Sequence, residues 1–354
     1  MPLLEEGKVG AIEWSFDALY NLPSIPDWFD AFLQVYGNAG RLIGHGVFFS
    51  LFSGRWSSAQ TDWLQYLKKT CQRYAFDHIT EHFGFMTGKD FHHGAPLNIP
   101  YTSNVLAIGT DRLKRIADTC ERPVGLENLA FSYSPDDVKR HGEFLHRLLE
   151  PVNGFIILDL HNLYCQSHNF SIPLYELIHA YPLHKVREIH ISGGSWEAAT
   201  TAPAGKVRRD THDGAVPPEV FAVLQTTMMQ CPHLKYVVME QLGNALHTEV
   251  ARKNFHDDFI RMNNLVQQAG KEGDEENNHP FMPPFPLKYE DIIEDSLLHM
   301  QQLELSAILE SASTGSEAIS ALQQSSLART VWCIENWQPH MLETACKIAQ
   351  KWKK

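Results

Sequence analysis

Seven short apolar runs, each closed by polar or charged residues and parted from the next by a longer segment of helical character, set the tightest limit on what this chain can fold into. They are "VGAIEW" (9–14), "RLIGHGVFF" (41–49), "FDHITEH" (76–82), "RPVGLEN" (122–128), "GFIILDLHN" (154–162), "VREIHIS" (186–192) and "LKYVVMEQ" (234–241). Strand and helix in alternation build a parallel sheet covered by helices, because a parallel crossover needs a long connection. Repeated this often, the pattern predicts an α/β fold of the TIM-type (β/α)8-like barrel class, with an eighth strand unaccounted for.

The connecting segments agree. In "TDWLQYLKKTCQRY" (61–74), Trp63, Leu64 and Leu67 recur at helical spacing ahead of Cys71 and Tyr74. "SPDDVKRHGEFLHRLLE" (134–150) opens with a capping Ser and a Pro in the first turn. From 270 the chain turns charged and then proline-rich, "GKEGDEENNHPFMPPFPLK", as a linker or extended arm does. Three parts are therefore expected: a barrel over 1–269, a linker over 270–287 and a small helical C-terminal domain over 288–354. The last is expected to present Ile292, Ile293, Leu297, Leu298 and Leu303 on one apolar face. "WCIENW" (332–337) reads either as packed aromatic core or as surface for a partner.

Composition narrows the function. A formal net charge of −12 argues against a nucleic-acid partner, which is held through clustered Lys and Arg. No apolar run is long enough to span a bilayer and the first residues lack a basic signal, so no membrane partner and a cytoplasmic location are expected. The six cysteines form no CxxC pair, which suggests neither a zinc finger nor a disulfide framework.

In a parallel barrel the active site is built at the C-terminal ends of the strands. The polar residues fall there: His45, Glu81 and His82, Glu127 and Asn128, Asp159 and Asn162, His190, and Glu240. Alone, each is an ordinary strand-end or core residue. Together, carboxylates and imidazoles crowded at one mouth carry a heavy desolvation and repulsion cost unless cations neutralise them. The loop "RRDTHDGAVPPEVF" (208–221) adds Asp210 and His212. Carboxylate, imidazole and amide donors without thiolate suit Fe, Mn or Zn in an open site. His45, His82, Glu127, Asp159, Asn162, His190, Asp210, His212 and Glu240 are too many for one ion, so roughly two or three are implied.

Eight pieces in order, "GHGVFFSL", "ITEHFGF", "PLNIPYT", "GLENLAFSY", "LDLHNLYCQSHN", "EIHISGG", "DTHDGAVPPEV" and "VMEQ", resemble the multinuclear non-haem iron-dependent oxidative enzymes over about residues 12–246. The resemblance implies that His45 and His82 bind one iron, with Glu127 bridging to a second held by Asp159, His190 and Glu240. These six are the catalytic set it implies. Asn162, Asp210 and His212 match the positions of a third iron, and Glu81, Asn128 and Asn169 are expected to orient ligands. It implies mixed Fe(II)/Fe(III) ions, O2 as co-substrate, and a ribosomally synthesised precursor peptide as substrate, with cysteine the expected target, and it allows a leader-binding partner protein. The chain departs from the family at Gln241, at "HISGG" and in lacking an early strand ahead of "GAIEWSF". The competing reading is a Zn- or Mn-dependent hydrolase or isomerase of the xylose-isomerase-like barrels.

Overall fold

A computed structural model describes residues 2–20, 22, 24–87, 96–269, 280–289 and 291–352. Seven strands lie side by side in chain order, every neighbouring pair parallel. They are β1 (Ile12–Trp14), β2 (Leu42–Gly46), β3 (Phe76–His82), β4 (Val124–Glu127), β5 (Phe155–Asp159), β6 (Val186–Ser192) and β7 (Tyr236–Glu240). The sheet curls until Glu13 of β1 lies 3.2 Å from His190 of β6. This is a TIM-type barrel, nearly closed, and among the described residues no eighth strand joins its sheet; the remaining short strands form two separate antiparallel pairs.

Helices start where the chain supplies caps. Ser57 and Gln60 form a reciprocal capping box ahead of Ser58–Arg73, as do Ser134 and Asp137 ahead of Pro135–Leu149. Asp159 ends β5 and caps Leu160–Phe170, its Oδ1 accepting from the Asn162 amide at 2.7 Å. Outward strand residues such as Ile79, Leu126, Leu158 and Ile189 pack with Trp63, Leu67, Ile108 and Leu148 of the helices in one continuous core. The polar strand ends are thereby left to the barrel interior.

The proline-rich stretch is a strap rather than a free linker in its described part, 280–289; its first half, 270–279, lies outside the described residues. Phe281 is buried against Phe155 and Ile157 at the lower end of the barrel, and Asn153 holds the Pro280 and Met282 carbonyls there. From that point the strap climbs along the helix Ser103–Cys120. Tyr289 donates to Asp118, Arg112 to the Ile293 carbonyl, and Asn104 to Asp295. Helix expected from 289 therefore begins only at Ser296, capped by Asp295. Of the expected apolar face only Leu298 is buried; Ile292, Ile293, Leu297 and Leu303 are exposed, and Leu305 and Leu309 do the packing. An extended strap consumes the residues that periodicity had assigned to a first turn.

The strap delivers the helices Ser296–Ser311, Gly315–Gln324 and Pro339–Trp352 to the barrel mouth. Gln302 holds both Gly54 N (2.9 Å) and Phe52 O (2.8 Å), Gln338 N donates to Tyr133 O, and His340 meets Asn169 O. Trp332 and Ile334 are buried and Trp337 stacks on Tyr133 with centroids 3.7 Å apart, so the apolar residues of "WCIENW" pack inward while Cys333, Glu335 and Asn336 are exposed. The described cysteines are all free thiols, four of them buried. Among the described residues no helix is long and apolar enough to cross a membrane.

Candidate metal centre

Parallel strands in register put successive strand ends at one level, and here that level is lined with ionisable groups. His45 pairs with Thr80 across β2 and β3, His82 with Glu127 across β3 and β4, and Asp159 with His190 across β5 and β6. Six of the nine residues expected from sequence converge in two groups: His45, His82 and Glu127, and then Glu127, Asp159, His190 and Glu240. Within each group the candidate ligand atoms lie within 4.8 Å of one another, and Glu127 belongs to both. Its Oε2 is 3.1 Å from His82 Nε2 and 3.4 Å from His45 Nε2.

The other three residues lie beside these groups. Asp210 Oδ2 is 2.9 Å from His212 Nε2, which is 3.7 Å from Glu240. Asn162 donates from Nδ2 to Glu127 Oε1 (2.9 Å) and to the Asn128 carbonyl (2.8 Å), leaving Oδ1 without a partner. The loop carrying Asp210 and His212 fits because of a glycine pair. A β-carbon on Gly193 would strike the Ala215 and Gly214 carbonyls, and one on Gly194 the Arg209 carbonyl. His212 itself sits at φ +49°, a left-handed conformation uncommon outside glycine.

Support is backbone-directed. Asn128 clamps Asp159 through both its amide (2.7 Å) and carbonyl (3.1 Å), and Asn169 grips Arg208 in the same way, fixing the start of the 209–217 loop. Glu81 does not join them. Side chains alternate along β3, so while His82 faces the interior Glu81 turns the other way, into space left by Gly46 and toward Asp17.

Buried atoms without a hydrogen-bond partner concentrate at this mouth: His45 Nε2, His82 Nδ1, Asp159 Oδ2, Asn162 Oδ1, both His190 nitrogens and Glu240 Oε2. Such atoms are costly unless a ligand takes them. Electrostatics agree. Burial, then Asp210, Glu127 and Glu240, push the Asp159 carboxyl far above its usual range. Burial opposes charge on His45, yet Glu13 and Glu127 outweigh it and hold the imidazole up at about 9. Burial likewise opposes charge on His212, and Asp210 and Glu240 raise it to about 11. Without a metal the centre gathers protons to stay near neutrality, which is how a set of cation ligands behaves.

Sequence reasoning missed several neighbours. Glu188 is fully buried two residues before His190, on the same side of β6, and Glu13 faces them from β1. The period-two spacing in "VREIHIS" was the available signal. His161 holds Asp210 Oδ1 at 2.9 Å and takes a contact from Arg208 Nη2 at 3.1 Å. At the mouth a cleft of about 690 Å³, lined by Phe48, Ser50, Arg55, Trp56, Met86 and His299 among others, opens between the loops after β2 and β3 and the helix Ser296–Ser311. That size accommodates an organic ligand or a short peptide segment.

Comparison with known proteins places these residues in a family. The chain is 27% identical over 183 residues to the UPF0276 protein of Caulobacter vibrioides, covering 51% of this chain and 62% of that one. It is 28% identical over 232 residues to a UPF0276 protein of Acaryochloris marina, covering 60% and 78%. The match thus spans about three-fifths of the first relative's length. Among solved structures it is similar to the IOLI protein with a bound zinc atom (TM-score 0.47, 13% identity, 76% of this chain and 92% of that one). The model of the RiPP precursor modification enzyme family MbnB/TglH/ChrH matches residues 26–255, which include every one of the nine expected ligands, and the chain belongs to that family.

Proposed function

We propose that this chain is an O2-dependent oxidase that holds about two or three non-haem irons in mixed Fe(II)/Fe(III) states and modifies a residue, with cysteine the expected target, of a ribosomally synthesised precursor peptide. The observation that carries the reading is the pair of ligand groups sharing Glu127. A carboxylate common to two groups is the arrangement that lets two cations sit side by side, and the orphaned buried atoms around it fit ions of that kind.

In this reading His45, His82 and Glu127 hold one iron, and Glu127, Asp159, His190 and Glu240 a second. Asn162 Oδ1, Asp210 and His212 offer a third place. Iron bound by these donors would supply redox chemistry and Lewis acidity. The chain's own residues do the rest. Asn128 fixes the Asp159 backbone, Asn162 donates to the Asp159 and Glu127 carboxylates, and His161 fixes Asp210. The mouth cleft is the proposed seat of the peptide, where binding makes attack on one residue effectively intramolecular. The helix Ser296–Ser311 forms one wall of it.

Metal content of protein purified without added metal, with Mössbauer spectra of iron-57-enriched material, tests the reading. Iron in more than one coupled site is expected. Zinc or manganese alone, with iron failing to load anaerobically, would replace the oxidase with the hydrolase or isomerase reading.

A further inference from the structure

Below the candidate centre a second layer of ionisable residues fills the barrel. Lys235 and Arg187 both reach Asp77, the latter at 2.8 Å. Asp77 Oδ2 meets His78 Nδ1 at 2.8 Å, and His78 Nε2 meets Glu188 Oε2 at 2.8 Å. The chain of contacts does not stop there. Glu188 Oε1, buried and without a hydrogen-bond partner, faces His190 Nε2 at 3.4 Å, and Glu13 Oε2 faces the same nitrogen at 3.2 Å. The opposite nitrogen, Nδ1, lies 3.4 Å from Glu240 in the upper cluster.

We propose that Glu188 and Glu13 are positioning residues for His190, accepting its Nε2–H so that the Nδ1 lone pair is directed into the Glu127, Asp159 and Glu240 group. The inference rests on the reading of that group as a metal site. A neutral imidazole carries one N–H and one lone pair, so two carboxylates on one side decide which nitrogen keeps the proton. Metal-bound imidazoles almost always donate their second N–H to such a partner. Glu13, Glu188 and His190 could instead hold an ion of their own. Charge balance disfavours this: Arg187 and Lys235 already offset Asp77 and Glu188, leaving only Glu13 in surplus. The His78 contact also turns Glu188 Oε1 toward His190 by occupying Oε2. Asp77, Arg187 and Lys235 thereby serve as the rigid base of a support that ends at the metal ligand.

Co(II) titration of the full metal-free chain, followed by its d–d absorption and by competition with a chelator, tests this independently of turnover. Wild type is expected to bind Co(II) in distinguishable classes. Glu188→Gln should weaken the class that uses His190 by about 10–100-fold and shift its band, leaving the His45, His82 and Glu127 class unchanged. Equal affinity and an identical spectrum in both classes would overturn the inference while leaving the metal reading intact; a wild-type chain that takes up no Co(II) would overturn both. Should Glu188→Gln not fold, Glu13→Gln on the edge strand β1 decides by the same titration, with unchanged affinity counting against the proposal.

Discussion

The upper and lower layers of the barrel share carboxylates and imidazoles, but only the lower one adds Arg187 and Lys235, and the two behave in opposite ways. In the lower layer Asp77 meets His78, Arg187 and Lys235, and His78 meets Glu188. In the upper layer His45, His82, Asp159, Asn162, His190 and Glu240 all keep at least one buried polar atom without a partner. Both layers are mostly buried, so desolvation alone does not separate them. Pairing does: Arg187 and Lys235 offset the lower carboxylate Asp77, and the open atoms there, Glu188 Oε1 and Glu13 Oε2, face His190, whereas the named residues of the upper layer include no Arg or Lys and keep several open atoms.

The largest expected effect breaks the upper layer. His82→Ala removes a proposed ligand from the groups that share Glu127, and turnover should fall by roughly a thousandfold or more, about 4 kcal/mol in the barrier. Iron content should drop while the denaturation midpoint of the metal-free protein barely moves. Retention of full iron and turnover would remove His82 from the centre.

The same chemical change in the two layers should then have opposite signs. Asp77→Asn strips the buried Arg187, and the more exposed Lys235, of their counter-charge, at a cost of about 3–5 kcal/mol in a urea or thermal melt, most of it from Arg187. The sign follows from titration. Burial works to raise the Asp77 carboxyl, but His78, Arg187 and Lys235 hold it well below the usual range. Its contribution is therefore present above about pH 4 and is lost as pH falls through that window. Asp159 is the reverse, its carboxyl raised by burial and by Asp210, Glu127 and Glu240. Ionising it in the metal-free fold costs stability as pH rises, so Asp159→Asn should leave the apo-protein as stable as wild type or up to about 1 kcal/mol more so, while metal-induced stabilisation shrinks. Two destabilisations of equal size would erase the distinction between the layers.

A histidine outside both layers calibrates them. His141 is fully buried among Phe83, Tyr101 and Phe144, bonded to the Tyr181 hydroxyl at 3.1 Å, and burial depresses its pKa to about 3. The unfolded chain takes a proton near pH 6.5 and the folded one does not, so stability is full above that value and declines below it. The slope approaches roughly 1.4 kcal/mol per pH unit toward the folded pKa. Measured between pH 6.5 and 5, wild type should lose stability that a His141→Leu variant retains; parallel curves would assign the acid sensitivity elsewhere. The smallest effect is at the surface. Arg140→Ala breaks an exposed pair with Asp136 and should change stability by less than about 0.5 kcal/mol.

Much of this was legible in the chain. The seven strands, the capped helices at Ser58 and Pro135, and the nine polar positions on strand ends and the segments just after them come from local signals: apolar runs, turn residues and caps that act within a few residues. The family resemblance lies in those same positions. Where side chains alternate, a strand assignment also carries a facing assignment, and Glu81 was misplaced because that step was not taken at His82. The same step at His190 finds Glu188.

What the chain could not announce is non-local. Glu13 reaches His190 because the sheet curls, and nothing within "GAIEW" encodes the distance. The strap from 280 hides Phe281 under the barrel and spends 291–295 outside any helix, although its apolar spacing is as good as a helix's. Which charges are satisfied is likewise a tertiary matter. Asp77 near the start of β3 and Asp159 at the end of β5 are both buried carboxyls, and only the neighbours that the fold brings to each decide that one is a counter-ion and the other keeps an oxygen without a hydrogen-bond partner. Periodicity and spacing determine which residues face the interior; the three-dimensional packing of strand against strand determines what each one meets there, because desolvated charges respond to neighbours a few ångströms away and not to neighbours in sequence.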